Sequence, residues 1–191
     1  MSMENIETNR LLLRKFNAND VEECFINFGQ DKEIGRYVPM YPVDDKAKMK
    51  SIIDGFIGAY ETGAFIWLIV EKETQAPMGY ISVDVPYREL GVGEIGYLLG
   101  EKFWGKGYAT EAACAVIDFM FHKEGLHLIE AKYNKNNTAS EKLLNCLQFT
   151  QEGVLRDRRI DCITGKKCDL VICSLNENEF RMEGNYGSKI L

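Results

Sequence analysis

Residues 98–113 of this chain are Leu98-Leu99-Gly100-Glu101-Lys102-Phe103-Trp104-Gly105-Lys106-Gly107-Tyr108-Ala109-Thr110-Glu111-Ala112-Ala113. An apolar run ends, a short loop with two glycines follows, and an amphipathic helical pattern then begins. This order leaves backbone N–H groups free at the positive end of a helix, beside glycines that let a ligand approach the main chain. The segment therefore predicts an anion site, and a pyrophosphate is the anion that we expect there.

Two well-known phosphate-binding patterns are absent from this loop. The sequence lacks the G-x-x-x-x-G-K-[ST] pattern of P-loop nucleotide hydrolases. Gly105-Lys106-Gly107 is followed by Ala109 and Thr110, so no third glycine completes the dinucleotide fingerprint. A nucleotide hydrolase and a dehydrogenase are both disfavoured. A plain strand-to-helix turn that binds nothing remains the structural alternative.

The composition is that of an ordinary globular protein. The 191 residues suffice for one domain with a full core, with 46% hydrophobic and 27% charged residues. A net charge of −6 argues against a DNA partner. The first nine residues are polar, and the apolar run Phe65–Val70 is too short to cross a bilayer. We therefore expect a cytoplasmic protein that does not bind membranes.

Neither the cysteines nor the histidines predict a special site. The six cysteines form no C-x-x-C pair and are expected to be small buried side chains rather than a disulfide framework or a catalytic thiol. His122 and His127 lie near a predicted helix end and strand start, without a carboxylate cluster. We expect no metal site.

Hydrophobic periodicity alternates between strand and helix patterns along the chain. Strands are predicted at Arg10–Phe16, Phe65–Val70, Met78–Val85, Gly93–Gly100, His127–Tyr133, Thr150–Ile160 and Cys168–Leu175. Helices are predicted from Asn19 or Asp20 to Phe28, from Asp44 and Asp45 to Tyr60, from the glycine loop to Phe121, and from a Thr138–Glu141 capping box to Leu147. Glu33–Val43 is predicted to be an irregular loop. The interleaving predicts an α/β sandwich around a mixed sheet.

The segment from Glu94 to Ala113 resembles the acetyl-CoA-binding motif of the GNAT acetyltransferases, [QR]-x-x-G-x-[GA] between a strand and a helix. Trp104, Gly107 and Ala109 occupy its three fixed positions, with tryptophan in place of Gln or Arg. The run WGKGYATEA, which starts at Trp104, is similar to the Rim-type branch, named for ribosomal-protein N-acetyltransferases. The resemblance is weakest over Glu33–Gly63, where the acceptor normally binds.

Further residues extend the resemblance over Ile6–Leu175. Asn137-Thr138-Ala139-Ser140 with Leu143-Leu144 matches the N-x-x-S…L pattern of this branch. Gln148-Phe149 stands where Gly-Phe is usual, and Glu152-Gly153 follows as expected. Arg156 and Asp169 fit the closing hairpin. The implied fold has a mostly antiparallel central sheet with helices on both faces. Acyl-CoA would lie between two splayed central strands, here Glu94–Gly100 and His127–Tyr133. We expect one domain over 1–175 and a weakly specified tail over 176–191.

The resemblance implies a binding site for acetyl-CoA as cosubstrate. Its residues are Tyr97, Leu98, Leu99, Trp104, Gly105, Lys106, Gly107, Tyr108, Ala109, Thr110 and Asn137. Residues 97–99 would line the pantetheine arm, and the N–H of Leu98 or Leu99 would stabilise an oxyanion if the strand bulges there. Lys106 would reinforce the phosphate site, or else be a solvated loop residue. Trp104 could equally be a core anchor.

Glu94 and Ser140 are the candidate catalytic residues. Glu94 would be a general base acting through water, and the alternative is an exposed carboxylate at a strand end. Ser140 shares a helix face with Leu143 and Leu147, so it points inward. The resemblance implies that it lies near the sulfur as a donor and that Asn137 hydrogen-bonds the pantetheine. The alternative is that Asn137 and Ser140 only cap the helix. No histidine is paired with Ser140, which disfavours a serine nucleophile.

The resemblance implies an N-acetyltransferase that works by direct attack in a ternary complex. The expected acceptor is a protein N-terminal amine. A small-molecule amine such as a polyamine, amino acid or amino sugar is the second choice, and a non-catalytic acyl-CoA-binding protein is the third. A basic hairpin (Arg156, Arg158, Arg159, Lys166 and Lys167) could receive an acidic acceptor or simply be solvated, and Arg36, Tyr37 and Tyr41 are candidates for the acceptor wall. The oligomeric state stays open, with a homodimer as one option.

Overall fold

The computed structural model describes residues 3–162, 164–181 and 189–190. Its strands are β1 (Ile6–Glu7), β2 (Leu11–Arg14), β3 (Phe65–Glu71), β4 (Pro77–Tyr87), β5 (Val92–Leu99), β6 (Leu128–Asn134), β7 (Thr150–Ile160), β8 (Lys167–Asn176) and β9 (Lys189–Ile190). Its α-helices are α1 (Val21–Cys24), α2 (Lys32–Gly35), α3 (Lys46–Ala59), α4 (Tyr108–His122) and α5 (Thr138–Cys146). Short helical turns occupy Ala18–Asp20, Phe25–Gly29, Tyr60–Thr62, Arg88–Leu90 and Glu101–Phe103.

The strands form a single mixed sheet in the order β7-β8-β6-β5-β4-β3-β2-β1-β9. Of the described strand pairs, only β5 and β6 run parallel. Parallel neighbours require a crossover, and α4 provides it between β5 and β6. The predicted fold class, a mostly antiparallel sheet within an α/β fold, is confirmed.

Helices cover both faces of the sheet. Val116 of α4 and Leu143 of α5 belong to the hydrophobic core on one face. Cys24 of α1 and Ile53 of α3 belong to the core on the other. Alternate residues of β3 contribute to the two cores, which explains why the run Phe65–Val70 is apolar throughout.

The two central strands separate along their length. β5 pairs with β6 only over Val92–Ile95, opposite Leu128–Ala131. Beyond these residues β5 pairs only with β4, and β6 pairs only with β8. The sheet therefore opens into a cleft at the carboxyl ends of β5 and β6, as expected for two splayed central strands.

Several local predictions need correction. The cap of the first helical segment is Asn17, whose side chain accepts from the Asn19 N–H, rather than Asn19 or Asp20. Helix α5 is capped by Asn137 and not by Thr138, because the Asn137 Oδ1 accepts from the Ser140 N–H at 3.1 Å. The predicted loop Glu33–Val43 overlaps α2, which the Asp31 side chain caps. Short polar segments of this kind lack the long periodicity on which helix prediction depends.

The ends of the sheet also differ from expectation. β1, which lies before the first predicted strand, pairs with β2 and with β9. Within the expected tail, Phe180 is buried, and its ring packs edge-on against Phe121 with centroids 5.7 Å apart. Gly184 and Gly187, which were expected to weaken the tail, lie outside the described residues. The division into a domain over 1–175 and a tail remains a prediction.

Candidate active site

A cleft of about 1410 Å³ runs through the sheet where β5 and β6 separate. Its lining includes Leu99 and Leu143 from one core and Tyr80 and Leu98 from the other, so it is open to both faces. The predicted site residues that line it are Tyr97, Leu98, Leu99, Trp104, Gly105, Gly107, Tyr108, Ala109, Thr110, Asn137 and Ser140. Glu94 and Lys106 do not line it.

The loop before α4 presents unpaired backbone donors to this cleft. Gly105 and Gly107 have φ values of 72° and 77°, a conformation that favours glycine. The first helical bond runs from the Glu111 N–H to the Gly107 carbonyl at 3.0 Å. No described group accepts from the N–H groups of residues 105–110. The predicted geometry of an anion site at a helix N-terminus is therefore present.

An ion pair between the partly exposed Arg10, just before β2, and the buried Glu111 of α4 lies beside this loop, and the sequence did not predict it. Glu111 is 2% exposed, and its carboxylate accepts from Arg10 Nε at 2.7 Å, from the Arg10 backbone N–H at 3.0 Å and from the Thr8 hydroxyl at 2.6 Å. Arg10 Nη1 donates to the Lys106 carbonyl at 3.0 Å, and its guanidinium lies over the Tyr108 ring. In the sequence, the only signal of this contact is that Glu111 stands among the alanines on the buried face of α4.

Other contacts hold the loop from its two sides. The Trp104 indole N–H donates to the Leu99 carbonyl at 2.7 Å, so Trp104 ties the loop to the end of β5 while remaining 39% exposed. The Tyr108 hydroxyl donates to the Glu71 carboxylate at the end of β3. Hydrogen bonds from Thr74 and Tyr108 lower the pKa of Glu71, and the positive charge of Lys106 adds to this effect. Lys106 therefore lies near Glu71.

The strand β5 does not bulge at Leu98 or Leu99. Its register with β4 is continuous from Asp84↔Glu94 to Gly79↔Leu99. The Gly100 N–H donates to the Met78 carbonyl at 2.9 Å, and hydrogen-bonded pairs alternate along antiparallel strands. Leu98 is therefore bonded to β4, and its N–H is not the oxyanion donor considered above. The N–H groups of Tyr97 and Leu99 face the side on which β6 has separated.

Ser140 and Tyr97 meet inside the cleft. Burial raises the pKa of Tyr97 to about 12, and a hydrogen bond with Ser140 opposes part of this rise. The phenol is therefore protonated at neutral pH and can donate. Asn137 also lines the cleft, but its side-chain oxygen is used for capping, which leaves its amide nitrogen for a ligand.

Glu94 lies on the face of β5 that carries Leu98, which is opposite to the face of Tyr97. Its carboxylate forms an ion pair with Lys132 of β6 at 2.5 Å. Lys132 lines the cleft and also lies 3.9 Å from Glu130. The expected general base is thus engaged with a cation next to the cleft.

Two segments that are distant in sequence form the other end of the cleft. One contains Tyr37, whose hydroxyl donates to the Asn136 carbonyl at 3.4 Å. The other is the β7–β8 hairpin, from which Arg158, Arg159 and Lys167 line the cleft. Tyr41 is not part of this wall, because it is 3% exposed and packs in the core beside Phe28.

Among the described residues, no three His, Cys, Asp or Glu side chains lie together in a way that could hold a metal ion. The described helices include none with the length and apolar character needed to cross a bilayer.

Comparison with known proteins identifies the family. A family model described as an acetyltransferase (GNAT) domain matches residues 10–150. The uncharacterized N-acetyltransferase p20 of Bacillus licheniformis is 36% identical over 179 residues, which cover 93% of this chain and 99% of that protein. The [ribosomal protein uS5]-alanine N-acetyltransferase of Escherichia coli is 37% identical over 81 residues, 42% of this chain and 41% of that protein.

The fold is shared with solved structures of this family. RimL, a ribosomal α-N-protein acetyltransferase solved in complex with coenzyme A, superposes with a TM-score of 0.79 at 20% identity, over 89% of this chain and 98% of that one. The expected resemblance to the Rim-type branch is confirmed. The chain belongs to the GNAT family and is an N-acetyltransferase with acetyl-CoA as its cosubstrate.

Proposed function

We propose that the protein acetylates the α-amine at a protein N-terminus by direct attack within a ternary complex. The observation that carries this proposal is the cleft that passes through the sheet between β5 and β6. The pyrophosphate of acetyl-CoA would bind the N–H groups of residues 105–110 on the α4 side. The acceptor would enter from the end formed by Tyr37 and the β7–β8 hairpin. The two substrates then meet where the strands separate.

The transfer needs few side chains. The lone pair of the neutral amine attacks the thioester carbonyl carbon, and the carbonyl oxygen becomes an oxyanion that the Leu99 N–H stabilises. The carbon–sulfur bond then breaks, the Ser140 hydroxyl donates a hydrogen bond to the departing thiolate, and the thiolate takes a proton from solvent. The attacking nitrogen loses a proton to solvent, with Glu94 receiving it through water. The products are the N-acetylated amine and coenzyme A.

The choice of an α-amine follows from the cost of deprotonation. At pH 7 a lysine amine costs about 4.6 kcal/mol to deprotonate, whereas an α-amine costs about 1.4 kcal/mol. Glu94 is paired with Lys132, so the cleft offers no free carboxylate among its described lining residues except Asp157. An enzyme with such weak assistance in removing the proton is better suited to an amine that is already partly neutral. The acceptor of the uS5-alanine relative is also of this kind.

The proposal is tested with the variants Glu94→Gln, Ser140→Ala and the double variant. We expect each single change to lower kcat by about 10- to 100-fold with an N-terminal peptide, because positioned proton donors and acceptors contribute about 10²- to 10⁴-fold. Calorimetry should show that the affinity for coenzyme A is retained. Ser51→Ala, an exposed change on α3, serves as the control and should leave kcat unaltered.

The same assay compares acceptor classes. Peptides with a free N-terminus should be acetylated faster than the same peptides with a blocked N-terminus and an internal lysine, and faster than spermidine, free amino acids or amino sugars. Unchanged turnover in the double variant would remove both side chains from the mechanism. Faster acetylation of a small amine would replace the proposed acceptor. Binding of acetyl-CoA without transfer to any amine would favour a non-catalytic role.

A further inference from the structure

The cleft carries positive charge although the protein as a whole is acidic. The chain has a formal net charge of −6. Among the described residues that line the cleft, Asp157 is the only acidic one, and five are basic: Lys132, Lys142, Arg158, Arg159 and Lys167. A cleft whose charges have one sign concentrates ligands of the opposite sign.

Four of these five cations have no ion-pair partner among the described residues: Lys142 of α5 and three residues of the β7–β8 hairpin. Lys132 is neutralised by Glu94 at 2.5 Å. In contrast, no described residue forms an ion pair with Arg158, Arg159 or Lys167, and all three side chains are exposed. The hairpin therefore presents unpaired charge at the end of the cleft that we assign to the acceptor.

Two of these cations, Arg158 and Arg159, lie at a bulge in β7. The register of β7 against β8 shifts between Leu155 and Arg159, and Asp157 within the shift has a φ of 55°. The Asp157 N–H donates to Asp169 Oδ1 at 3.2 Å, which holds the bulge in place. Bulges beside active sites commonly redirect side chains. Arg158 and Arg159 directly follow Asp157 at this bulge, and both line the cleft.

We propose that the acceptor is acidic: a peptide whose N-terminal amine is followed within a few residues by Asp or Glu carboxylates that bind Arg158, Arg159 and Lys167. This inference rests on the proposed function and specifies its substrate. Guanidinium groups bind carboxylates through paired hydrogen bonds, which gives direction as well as charge. Such charges at the edge of a site act mainly on association and on its dependence on salt.

The test uses three peptides of equal length with an N-terminal alanine, followed by two aspartates, two serines or two lysines. We expect kcat/KM for the acidic peptide to exceed that for the basic peptide by about 10- to 100-fold at low salt. In 0.5 M NaCl the difference should shrink to a few fold, because exposed charges are screened. Equal kcat/KM values for the acidic and basic peptides at low salt would overturn the inference while leaving the proposed function intact.

Two double charge-reversal variants distinguish recognition of the peptide by residues of the cleft from an effect of the overall charge of the hairpin. Arg158→Glu/Arg159→Glu should reverse the order of the acidic and basic peptides and leave KM for acetyl-CoA unchanged. The matched control, Arg156→Glu/Lys166→Glu, changes the charge of the same hairpin equally at residues that do not line the cleft, and it should keep the wild-type order. Thermal denaturation checks that both variants are folded.

The remaining outcomes are also decisive. A higher KM for acetyl-CoA in Arg158→Glu/Arg159→Glu would assign these cations to the coenzyme and overturn the inference. Reversal of the peptide order by the control pair as well would show that the overall charge, and not the cleft, selects the acceptor. If none of the three peptides is acetylated, the proposed function fails and the inference fails with it.

Discussion

At the scale of single residues, the hydrogen-bond partners of a side chain or backbone group determine what it can do in the cleft. Ser140 is notable because it hydrogen-bonds the Tyr97 phenol, and Tyr97 lies on the face of β5 that looks towards α4 and α5. The Asn137 side-chain oxygen caps α5, and this contact does not use its amide nitrogen. Leu99, rather than Leu98, directs its N–H away from β4. Each of these distinctions depends on a neighbour that is remote in sequence.

The raised pKa of Tyr97 leads to a prediction about pH. Because burial raises the pKa of Tyr97 in the folded protein to about 12, above the ordinary value of 10, the phenol keeps its proton through the pH range of an activity assay. We therefore expect kcat/KM for an N-terminal peptide to rise with the deprotonation of its amine, near pH 8, and then to remain level to pH 10.5. Initial rates between pH 6 and 10.5 measure this profile.

Two controls accompany the pH profile. Tyr97→Phe should lower the plateau value of kcat/KM without changing the pH at which kcat/KM rises, because this rise reflects deprotonation of the acceptor amine. A peptide whose amine has a lower pKa should move this rise by the same amount. A decline in kcat/KM beginning below pH 10 in the wild-type enzyme would contradict the assignment of Tyr97 as a permanently protonated donor.

At the scale of elements, the start of α4 is held by the beginning of β2. The Arg10–Glu111 pair joins the first turn of the helix to the strand, and Arg10 also binds the Lys106 carbonyl inside the loop. This arrangement turns the Lys106 carbonyl towards Arg10 and leaves the neighbouring N–H groups free. We therefore expect Glu111 to be a positioning residue for the loop that we propose binds the pyrophosphate, since it acts on this loop through Arg10.

Glu111→Gln is expected to weaken acetyl-CoA binding more than catalysis. An amide places N–H donors against the Arg10 guanidinium, so the contact with the loop loosens. We expect KM for acetyl-CoA to rise about tenfold, equivalent to about 1.4 kcal/mol, with kcat within about twofold of wild type. The free energy of unfolding should fall by about 1–3 kcal/mol, as for the loss of buried hydrogen bonds to a charged group. Steady-state kinetics and chemical denaturation measure both effects.

Glu124→Gln provides a matched control for this prediction. Glu124 is also well buried, with its side chain 6% exposed, and pairs with an exposed arginine, Arg88, away from the cleft. It should lose a comparable amount of stability without a change in KM for acetyl-CoA. If both variants raise this KM equally, the effect of Glu111 comes from general destabilisation and not from the position of the loop.

At the scale of the whole molecule, one sheet with a hydrophobic core on each face brings distant segments of the chain to one cleft. The loop before α4 and the β7–β8 hairpin are about 50 residues apart in sequence, yet both line the same cleft. A ligand that bridges them stabilises the folded state alone, because the unfolded chain has no such cleft.

A thermal-shift panel with acetyl-CoA, coenzyme A, ATP and NAD tests this view. A ligand at about 100 times its Kd adds about 2.7 kcal/mol of stability, which is about 5–10 °C in Tm for a protein of this size. We expect such shifts from acetyl-CoA and coenzyme A, and much smaller ones from ATP and NAD. An equal shift from ATP would indicate that the loop binds phosphates without recognising the pantetheine arm.

The local sequence by itself determined the elements and the anion loop. The i, i+3, i+4 stripe of α4, the apolar run of β3 and the glycines at 105 and 107 each depend on neighbours a few residues away, so periodicity and backbone preference predict them. Only the tertiary structure decided which residues meet: Arg10 with Glu111, Tyr97 with Ser140, and Glu94 with Lys132. Strand order and register set these contacts, and both come from packing across the whole sheet. Periodicity therefore predicts which face of a helix or strand a side chain occupies, whereas the tertiary fold determines which residues that side chain contacts.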